Sequence, residues 1–406
     1  MASAGRTGVG TNQEDVRRHN LGTVLGHVHG AGRISRSDLT SRMGLNRSTI
    51  GGLVGELEAL GLTAKGKSVG ARAGVGRPSV DVLAGPGAVV LAADVRVDGL
   101  SVARVGLGGI VQARATGPAP AGHDPEVTAD SVAELMRLVL KDIDPSVPVV
   151  GVGAAVPGIV RADDGFVRLA PNLGWHEVPF SALLAERLGG GMRPVLGNDA
   201  DLGAVSEHLR GAGVGVDDLV YLSGEVGVGA GVVVAGRPLE GAGGYAGEIG
   251  HVPFVPDGKL CHCGARGCWE TEVGGVAIAA AVGCPPDRIP SLGEFLDGIH
   301  EASPELRQVA WHIGRGLAGM VNLLNPRVIV LGGYLRPLLP LVRDDVDAAF
   351  AEHALAAPRE LARITLPGLG ADSVLVGAAE LAFGRLLQDP VGTLTDSYAS
   401  AGSVVA

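Results

Sequence analysis

Three of the chain's four cysteines fall within eight positions, as Cys261, Cys263 and Cys268, and His251 stands ten residues before the first of them. No other spacing in the chain narrows its fold as far. Three thiolates and one imidazole make a closed tetrahedral donor set that suits Zn2+. A single residue between Cys261 and Cys263 makes them poor disulfide partners, and Gly264 and Gly267 supply the tight turns a metal knuckle needs. Two carboxylates, Glu248 and Glu270, are interleaved with these ligands, and a structural zinc does not require them. The segment from Gly247 to Glu270 is therefore expected to be a metal staple that also presents polar groups to something else.

At 406 residues the chain has room for two or three domains and a large core. Aromatic residues make up only 3% of it, which argues against a stacking platform for single-stranded nucleic acid. No apolar run reaches membrane-spanning length, the nearest (Val226–Ala235) being broken by glycines. The start, Met1–Gly10, lacks the apolar stretch of a signal peptide. With few cysteines, clustered at metal spacing, the chain reads as cytoplasmic. Its charge of −10 is uneven: the first 82 residues hold eleven Lys and Arg against six Asp and Glu, and the rest hold 22 against 37. An acidic body repels DNA, whereas a basic N-terminal fifth attracts its phosphates.

That basic fifth has a pattern of its own. Residues 1–12 are small and polar and are expected to be disordered. Val16, Leu21, Val24, Leu25 and Val28 then recur at helical spacing. From Ile34 to Leu62 the chain has the form of a helix-turn-helix. Ser35 or Ser37 caps a first helix carrying Leu39 and Met43, Gly44 turns the chain, and Asn46 caps a second helix with Ile50, Leu53, Val54, Leu57 and Leu60 inward. Arg36 opens the first helix, and Asn46, Arg47, Ser48 and Thr49 sit at the start of the second, where a recognition helix meets bases and phosphates. Lys65–Ser79 follows with Lys65, Lys67, Arg72 and Arg77 and no acid, as in a β-wing tipped for the DNA backbone or minor groove. The plain alternative is a solvated helical hairpin with a flexible linker, and Gly51 and Gly52 each weaken the second helix by roughly 1 kcal/mol. A winged helix-turn-helix over 13–82, binding double-stranded DNA, accounts for turn, cap, charge and wing together.

Beyond it, strands alternate with helices in two similar halves. Val89–Val95, Ser101–Val105 and Gly109–Arg114 read as a meander, followed by a helix at Thr128–Leu140 and a buried strand at Val149–Val156. A helix at Pro179–Leu188 precedes a strand whose end presents Asn198 and Asp199. Asp218–Ser223 and Val226–Ala235 pair around a glycine-rich turn, and Trp269–Val282 reads as one helix. Helices at Ser303–Leu324 and Pro337–His353 flank a strand at Arg327–Leu331, and Ser373–Leu387 is a last helix. The fold class this implies is α/β, with lobes on either side of a cleft. Gln388–Ala406 is expected to be a flexible tail. Asn198-Asp199 at a strand end is where such folds place ligand groups, and equally where a helix takes its cap.

Cys261-His-Cys-Gly-Ala-Arg-Gly-Cys-Trp-Glu270 resembles the CxCGxxGCxE signature of the ROK family of repressors, open reading frames and sugar kinases. Gly247-Glu-Ile-Gly-His251 is similar to that family's GE-x-GH. Val156-Pro-Gly158, Pro171-Asn-Leu-Gly-Trp175, Asn198-Asp-Ala200, Asn325–Gly333 and Gly76-Arg-Pro78 extend the resemblance from about Gln13 to Leu387. It implies a two-lobed actin-like (sugar kinase/ribonuclease H-like) domain over 88–387, with lobes of about 88–200 plus 373–387, and 201–372. It implies zinc on His251, Cys261, Cys263 and Cys268. It further implies a sugar held by Asn198, Asp199, Glu248, His251 and Glu270, with Asp199 as catalytic base if the protein is a kinase.

Two departures from the family pattern bear on activity. Kinases of the family open with Asp-x-Gly-Gly-Thr, whose glycines admit ATP phosphates; the corresponding run here is Asp94-Val-Arg-Val-Asp98, with Arg96 and Val97 in place of the glycines. Their second phosphate loop, Gly-Thr-Gly-x-Gly, reads Glu225-Val-Gly-Val-Gly229. The expectation is a sugar-responsive transcriptional regulator, a repressor working as a homodimer or homotetramer on an operator, rather than an enzyme. The competing expectation is an ATP-dependent sugar kinase with a DNA-binding appendage.

Overall fold

Asn12 opens the first helix, α1 (Gln13–Ala31), through a reciprocal capping box with Asp15. The computed structural model describes residues 12–66, 80–161, 163–189 and 191–400. After α1 come β1 (Arg33–Ser35), α2 (Arg36–Met43), α3 (Arg47–Ala59), β2 (Thr63–Gly66) and β3 (Asp81–Ala84). The three strands form one antiparallel sheet in the order β1-β3-β2. This is a helix-turn-helix with a wing. Ser35 caps α2 through a bond from the Asp38 amide, Gly44 turns the chain at φ 65°, and Asn46 caps α3. Despite its glycines α3 forms over 13 residues, because Ile50, Leu53, Val54 and Leu57 are buried; packing outweighs propensity. The sheet's central strand, β3, runs to Ala84, past the expected boundary at 82.

The body holds two five-stranded sheets. The first is built from β4 (Val89–Val95), β5 (Gly99–Gly106), β6 (Ile110–Pro118), β7 (Val149–Val156) and β11 (Val195–Asn198), with α4 (Pro125–Leu140) between β6 and β7. A small sheet of β8 (Ile159–Arg161), β9 (Phe166–Ala170) and β10 (Trp175–Val178), which the sequence did not reveal, and helix α5 (Phe180–Leu188) lie between β7 and β11. Helix α6 (Asp199–Arg210) leads to the second sheet, made of β12 (Leu219–Gly224), β13 (Val228–Val234), β14 (Arg237–Pro238), β15 (Val328–Gly333) and β16 (Arg363–Thr365). The orders β6-β5-β4-β7-β11 and β14-β13-β12-β15-β16 repeat one pattern: an antiparallel meander whose first strand pairs in parallel with a fourth strand, which pairs in parallel with a fifth. That duplication is the two-lobed actin-like fold.

Between β14 and β15 lie α7 (Glu270–Val273), α8 (Gly275–Val282), α9 (Leu292–Asp297) and α10 (Pro304–Leu324), and α11 (Leu335–His353) and α12 (Ala356–Leu361) precede β16. The single helix expected over Trp269–Val282 is two, because Gly274 is extended (φ −76°, ψ 174°) and the Gly275 amide donates to the Glu225 carbonyl. Helix α13 (Ser373–Gln388) packs against the first sheet, α6 and α1.

The expected flexible tail is corrected: Pro390–Ser400 is a helix, α14. Leu394 and Thr393 are buried, and α14 lies against α13, α1 and β7. The sequence misled because the buried residues described in α14, Pro390, Thr393 and Leu394, are too few to set a helical apolar pattern. The DNA-binding unit is likewise packed onto the body, since Leu21, Val24, Leu25 and Val28 share one core with Leu375, Phe383 and Leu386 of α13. Gly22 permits that approach, since a Cβ there would lie 2.5 Å from the Leu387 carbonyl oxygen. At the end of α1, His29 Nδ1 accepts from the Gly108 amide and Nε2 donates to Glu380 Oε2 at 2.8 Å. Arg210 Nε, from the end of α6, donates to the other Glu380 oxygen at 2.7 Å, and its Nη1 to the His29 carbonyl at 3.0 Å. Among the described residues no helix is long and apolar enough to cross a membrane.

Candidate functional site

Strand β11 delivers Asn198 to the start of α6, where it is the helix cap. Its Oδ1 accepts from the Ala200 amide at 2.8 Å and the Asp201 amide at 3.2 Å, and its Nδ2 donates to the Gly158 carbonyl at 3.0 Å. One amide hydrogen of Asn198 is left for a ligand. Asp199 reaches across the cleft, accepting from Ser223 Oγ of β12 at 2.8 Å. Burial raises its carboxyl to about 6, against the bonds from Ser223 and the backbone, and Glu248 adds to the rise. Gly158, Asn198 and Asp201 on one side and Gly229, Tyr245, Gly247 and Glu248 on the other line a cleft of about 320 Å³.

The metal-type residues converge on the second sheet's side. One ligand atom from each of His251, Cys261, Cys263 and Cys268 lies within 4.8 Å of all the others. Cys263 Sγ and Cys268 Sγ are 3.7 Å apart, and His251 Nδ1 is 3.6 Å from Cys261 Sγ. All four cysteines are free. A tetrahedral ion with metal–sulfur bonds of about 2.3 Å spaces its sulfurs by about 3.8 Å, so the donor set fits such an ion. The knuckle is made by a bridge between Leu260 and Arg266 and by Gly267, whose φ of 71° and contact with the Val255 carbonyl leave no room for a side chain. With Nδ1 turned to the thiols, His251 points Nε2 toward Glu248 Oε2, 3.9 Å away. Glu270 stands between the two functions. Its Oε1 accepts from the Cys261 thiol at 2.8 Å and its Oε2 from the Val228 amide at 3.3 Å.

A second cavity, of about 420 Å³, adjoins Asp199 and is lined by Asp94, Arg96, Asp98, Ser223, Glu225 and Tyr334. Arg96 Nε donates to Asp98 Oδ1 at 2.8 Å, and its Nη1 lies 3.7 Å from Asp94 Oδ2. Burial raises the Asp94 carboxyl to about 7, against the opposing pull of Arg96. Burial also raises Glu225 to about 8, and Asp98 adds to that rise. One arginine thus sits among three carboxylates where the resemblance places phosphate loops.

The other expected residues that the structure describes, Arg36 and Asn46–Thr49, lie in the helix-turn-helix. Asn46, Arg47, Ser48 and Thr49 are all exposed. Asn46 Oδ1 accepts from the Thr49 amide, the Ser48 hydroxyl and the Thr49 hydroxyl, which ties those three side chains together. Arg47 forms no ion pair among the described residues and projects freely. Arg36 is half-buried, with its Nε shielded and unbonded. Arg72 and Arg77 lie outside the described residues. The sequence missed Ser223, which carries no motif, the Gly158 carbonyl, whose motif Val156-Pro-Gly158 gave it no role, and Asp201, which the Asn198-Asp-Ala-Asp201 run could have flagged.

Comparison with known proteins matches this geometry. The ROK family model covers residues 94–385. A xylose repressor of Caldicellulosiruptor bescii is 26% identical, over 88% of this chain and 93% of its own. The crystal structure of a ROK family glucokinase from Streptomyces griseus, in complex with glucose and AMPPNP, superposes with a TM-score of 0.63 at 27% identity, covering 72% of this chain and 99% of that one. A ROK family transcriptional regulator, a homolog of the E. coli MLC protein, superposes over 95% of this chain and 99% of its own with a TM-score of 0.70 at 23% identity, which shows a common fold. The glucokinase thus has no counterpart for more than a quarter of this chain, whereas the repressor and the regulator span DNA-binding unit and body together. With its duplicated sheets, its knuckle of one histidine and three cysteines and its cleft carboxylates, the chain belongs to the ROK family.

Proposed function

We propose that the chain is a sugar-responsive DNA-binding repressor. The observation that carries this reading is the seating of a winged helix-turn-helix, its α3 start exposed, on a body that retains the cleft carboxylates. The similarity to xylose repressors over about nine-tenths of both chains supports it. Arg47, with Asn46, Ser48 and Thr49 behind it, meets the major groove, while Arg36, Arg72 and Arg77 add backbone contacts. A sugar binds between Asn198, Asp199 and Glu248, with His251 Nε2 and Glu270 completing the wall. Zn2+ on His251, Cys261, Cys263 and Cys268 fixes the orientation of that wall, a structural role. The lobes divide near 88–200 plus 373–387 and 201–372, the protein is cytoplasmic, and a palindromic operator makes a homodimer the smallest working assembly.

Arg96 and Glu225 stand where ATP phosphates would need open backbone, which disfavours phosphoryl transfer. One observation favours the alternative, a sugar kinase: Asp199, with its carboxyl raised to about 6, suits a general base. Two measurements separate the readings. Electrophoretic mobility shifts on a DNA duplex selected from a random pool by the full chain should show specific binding that a sugar relieves. An ATP-dependent phosphorylation assay on hexoses and pentoses should show no turnover. Turnover abolished by Asp199→Ala, without specific DNA binding, would overturn the proposal.

A further inference from the structure

We infer that the effector carries no anionic group: the cleft takes a neutral or amine-bearing sugar and rejects sugar phosphates and acidic sugars, with Asp201 as a specificity-determining residue. The inference rests on the sugar-effector reading above. The sugar cleft is lined by Asp201 and Glu248 and, among the described residues, by no lysine or arginine. Asp201 faces it from the first turn of α6, and among the described residues no cation pairs with its carboxylate. Burial, then Asp199, Glu248 and Glu240, raise that carboxyl to about 7, with no positive charge opposing them.

Two arginines beside the cleft's elements are committed elsewhere. Arg161, on β8, is held in a fork by Asp164, with bonds of 2.8 and 2.5 Å. Arg96, in the adjoining cavity, is bound to Asp98 and faces Asp94 and Glu225. A phosphate on the sugar would therefore enter a low-dielectric space with several carboxylates and no free donor cation, where like charges repel strongly. A hydroxyl meets acceptors, and an ammonium meets the carboxylates of Asp201 and Glu248.

The test is calorimetric titration of the full-length chain with matched pairs: D-glucose and its 6-phosphate, N-acetyl-D-glucosamine and its 6-phosphate, with D-xylose, D-glucosamine and D-glucuronate alongside. Any sugar that binds is expected to bind at least tenfold more tightly than its phosphorylated or acidic form, and Asp201→Asn is expected to narrow that ratio several-fold. Tighter binding of a sugar phosphate or of glucuronate than of its parent overturns this inference and leaves the repressor reading standing. Binding by none of these sugars, with specific DNA binding intact, overturns the effector reading and this inference with it.

A separate observation carries a second proposal: the structure assigns α6 as the link between cleft and DNA-binding unit. Its cap Asn198 and first-turn Asp201 line the cleft and Asp199 the adjoining cavity, and its last residue, Arg210, bonds both Glu380 and the His29 carbonyl at the end of α1. The buried Glu207 carboxylate holds the same end of α6 to the Gly368 and Leu369 amides and the Ser373 hydroxyl, so helix and seat move as one body. Twelve residues at 1.5 Å each span about 18 Å, and a displacement at one end reaches His29 without passing through a loop. Arg210→Lys and Glu380→Gln, which keep volume, test this with the tightest-binding sugar of the panel. Both are expected to keep sugar affinity within about twofold while reducing the sugar-dependent change in DNA affinity several-fold. An unaltered change in both variants overturns it.

Discussion

His29 and Glu380, 351 positions apart in sequence, share a buried hydrogen bond of 2.8 Å that fastens the DNA-binding unit to the body. Their side chains are 2% and 4% exposed. Glu380 also answers Arg210, so its loss strands a buried guanidinium. Breaking such a buried pair costs about 3–5 kcal/mol. Glu380→Ala should lower unfolding stability by that order, as measured by urea denaturation, and Glu380→Gln by less.

The same carboxylate sets an acid limit. Burial alone would raise its pKa, but the bond from His29 and the charge and bond of Arg210 outweigh it and hold the group below the usual carboxylate range. A depressed carboxylate stabilises the fold above its unfolded value and loses that contribution as pH falls through the folded one. The stability gap between wild type and Glu380→Gln should therefore be full at pH 7 and close progressively below about pH 4.

The cleft carboxylates act in the opposite sense. Asp94 and Glu225 are raised to about 7 and about 8 by burial, so the folded chain binds protons there more tightly than the unfolded one. Their stabilising contribution is present below about pH 4 and is lost as pH rises through 7 and 8. Glu225→Gln should raise the melting temperature at pH 8.5 and leave it nearly unchanged at pH 5.

Arg47→Ala should weaken binding to the selected duplex by about 1–3 kcal/mol if the side chain reads a base edge, with calorimetric sugar affinity unaltered. Duplex affinity equal to wild type at moderate salt would remove α3's first turn from the interface.

Metal analysis of the purified chain should find about one zinc per protomer. Cys263→Ser, which removes the exposed member of the cluster, should lower that content and the melting temperature together. Sugar affinity should fall with them, because Glu248 and Glu270 flank the same cluster. A zinc-free chain with full sugar affinity would detach the knuckle from the pocket.

Local patterns made much of this legible in the residues. The cap at Asn46, the turn at Gly44 and the inward Ile50, Leu53, Val54 and Leu57 all act within a few positions, and so does the cysteine spacing. Relations between distant segments were not legible. Nothing near His29 announces Glu380, and nothing near Asp199 announces Ser223. Asn198 reads equally as ligand or cap, and only the Gly158 carbonyl and two amides show that capping takes most of its bonding capacity. Helix α14 escaped notice because Leu394 becomes an anchor only once α1 and α13 provide its surface.

That arrangement also sets an order of events during synthesis. The helix-turn-helix is synthesised well before the surface that receives α1, which belongs to α13 and α14, far along the chain. Domains generally fold as units, from the N-terminal end. Here the DNA-reading unit can fold early but takes its seat only after Glu380 and Leu394 have been made. A chain cut short before them would carry an intact recognition helix with no connection to the cleft.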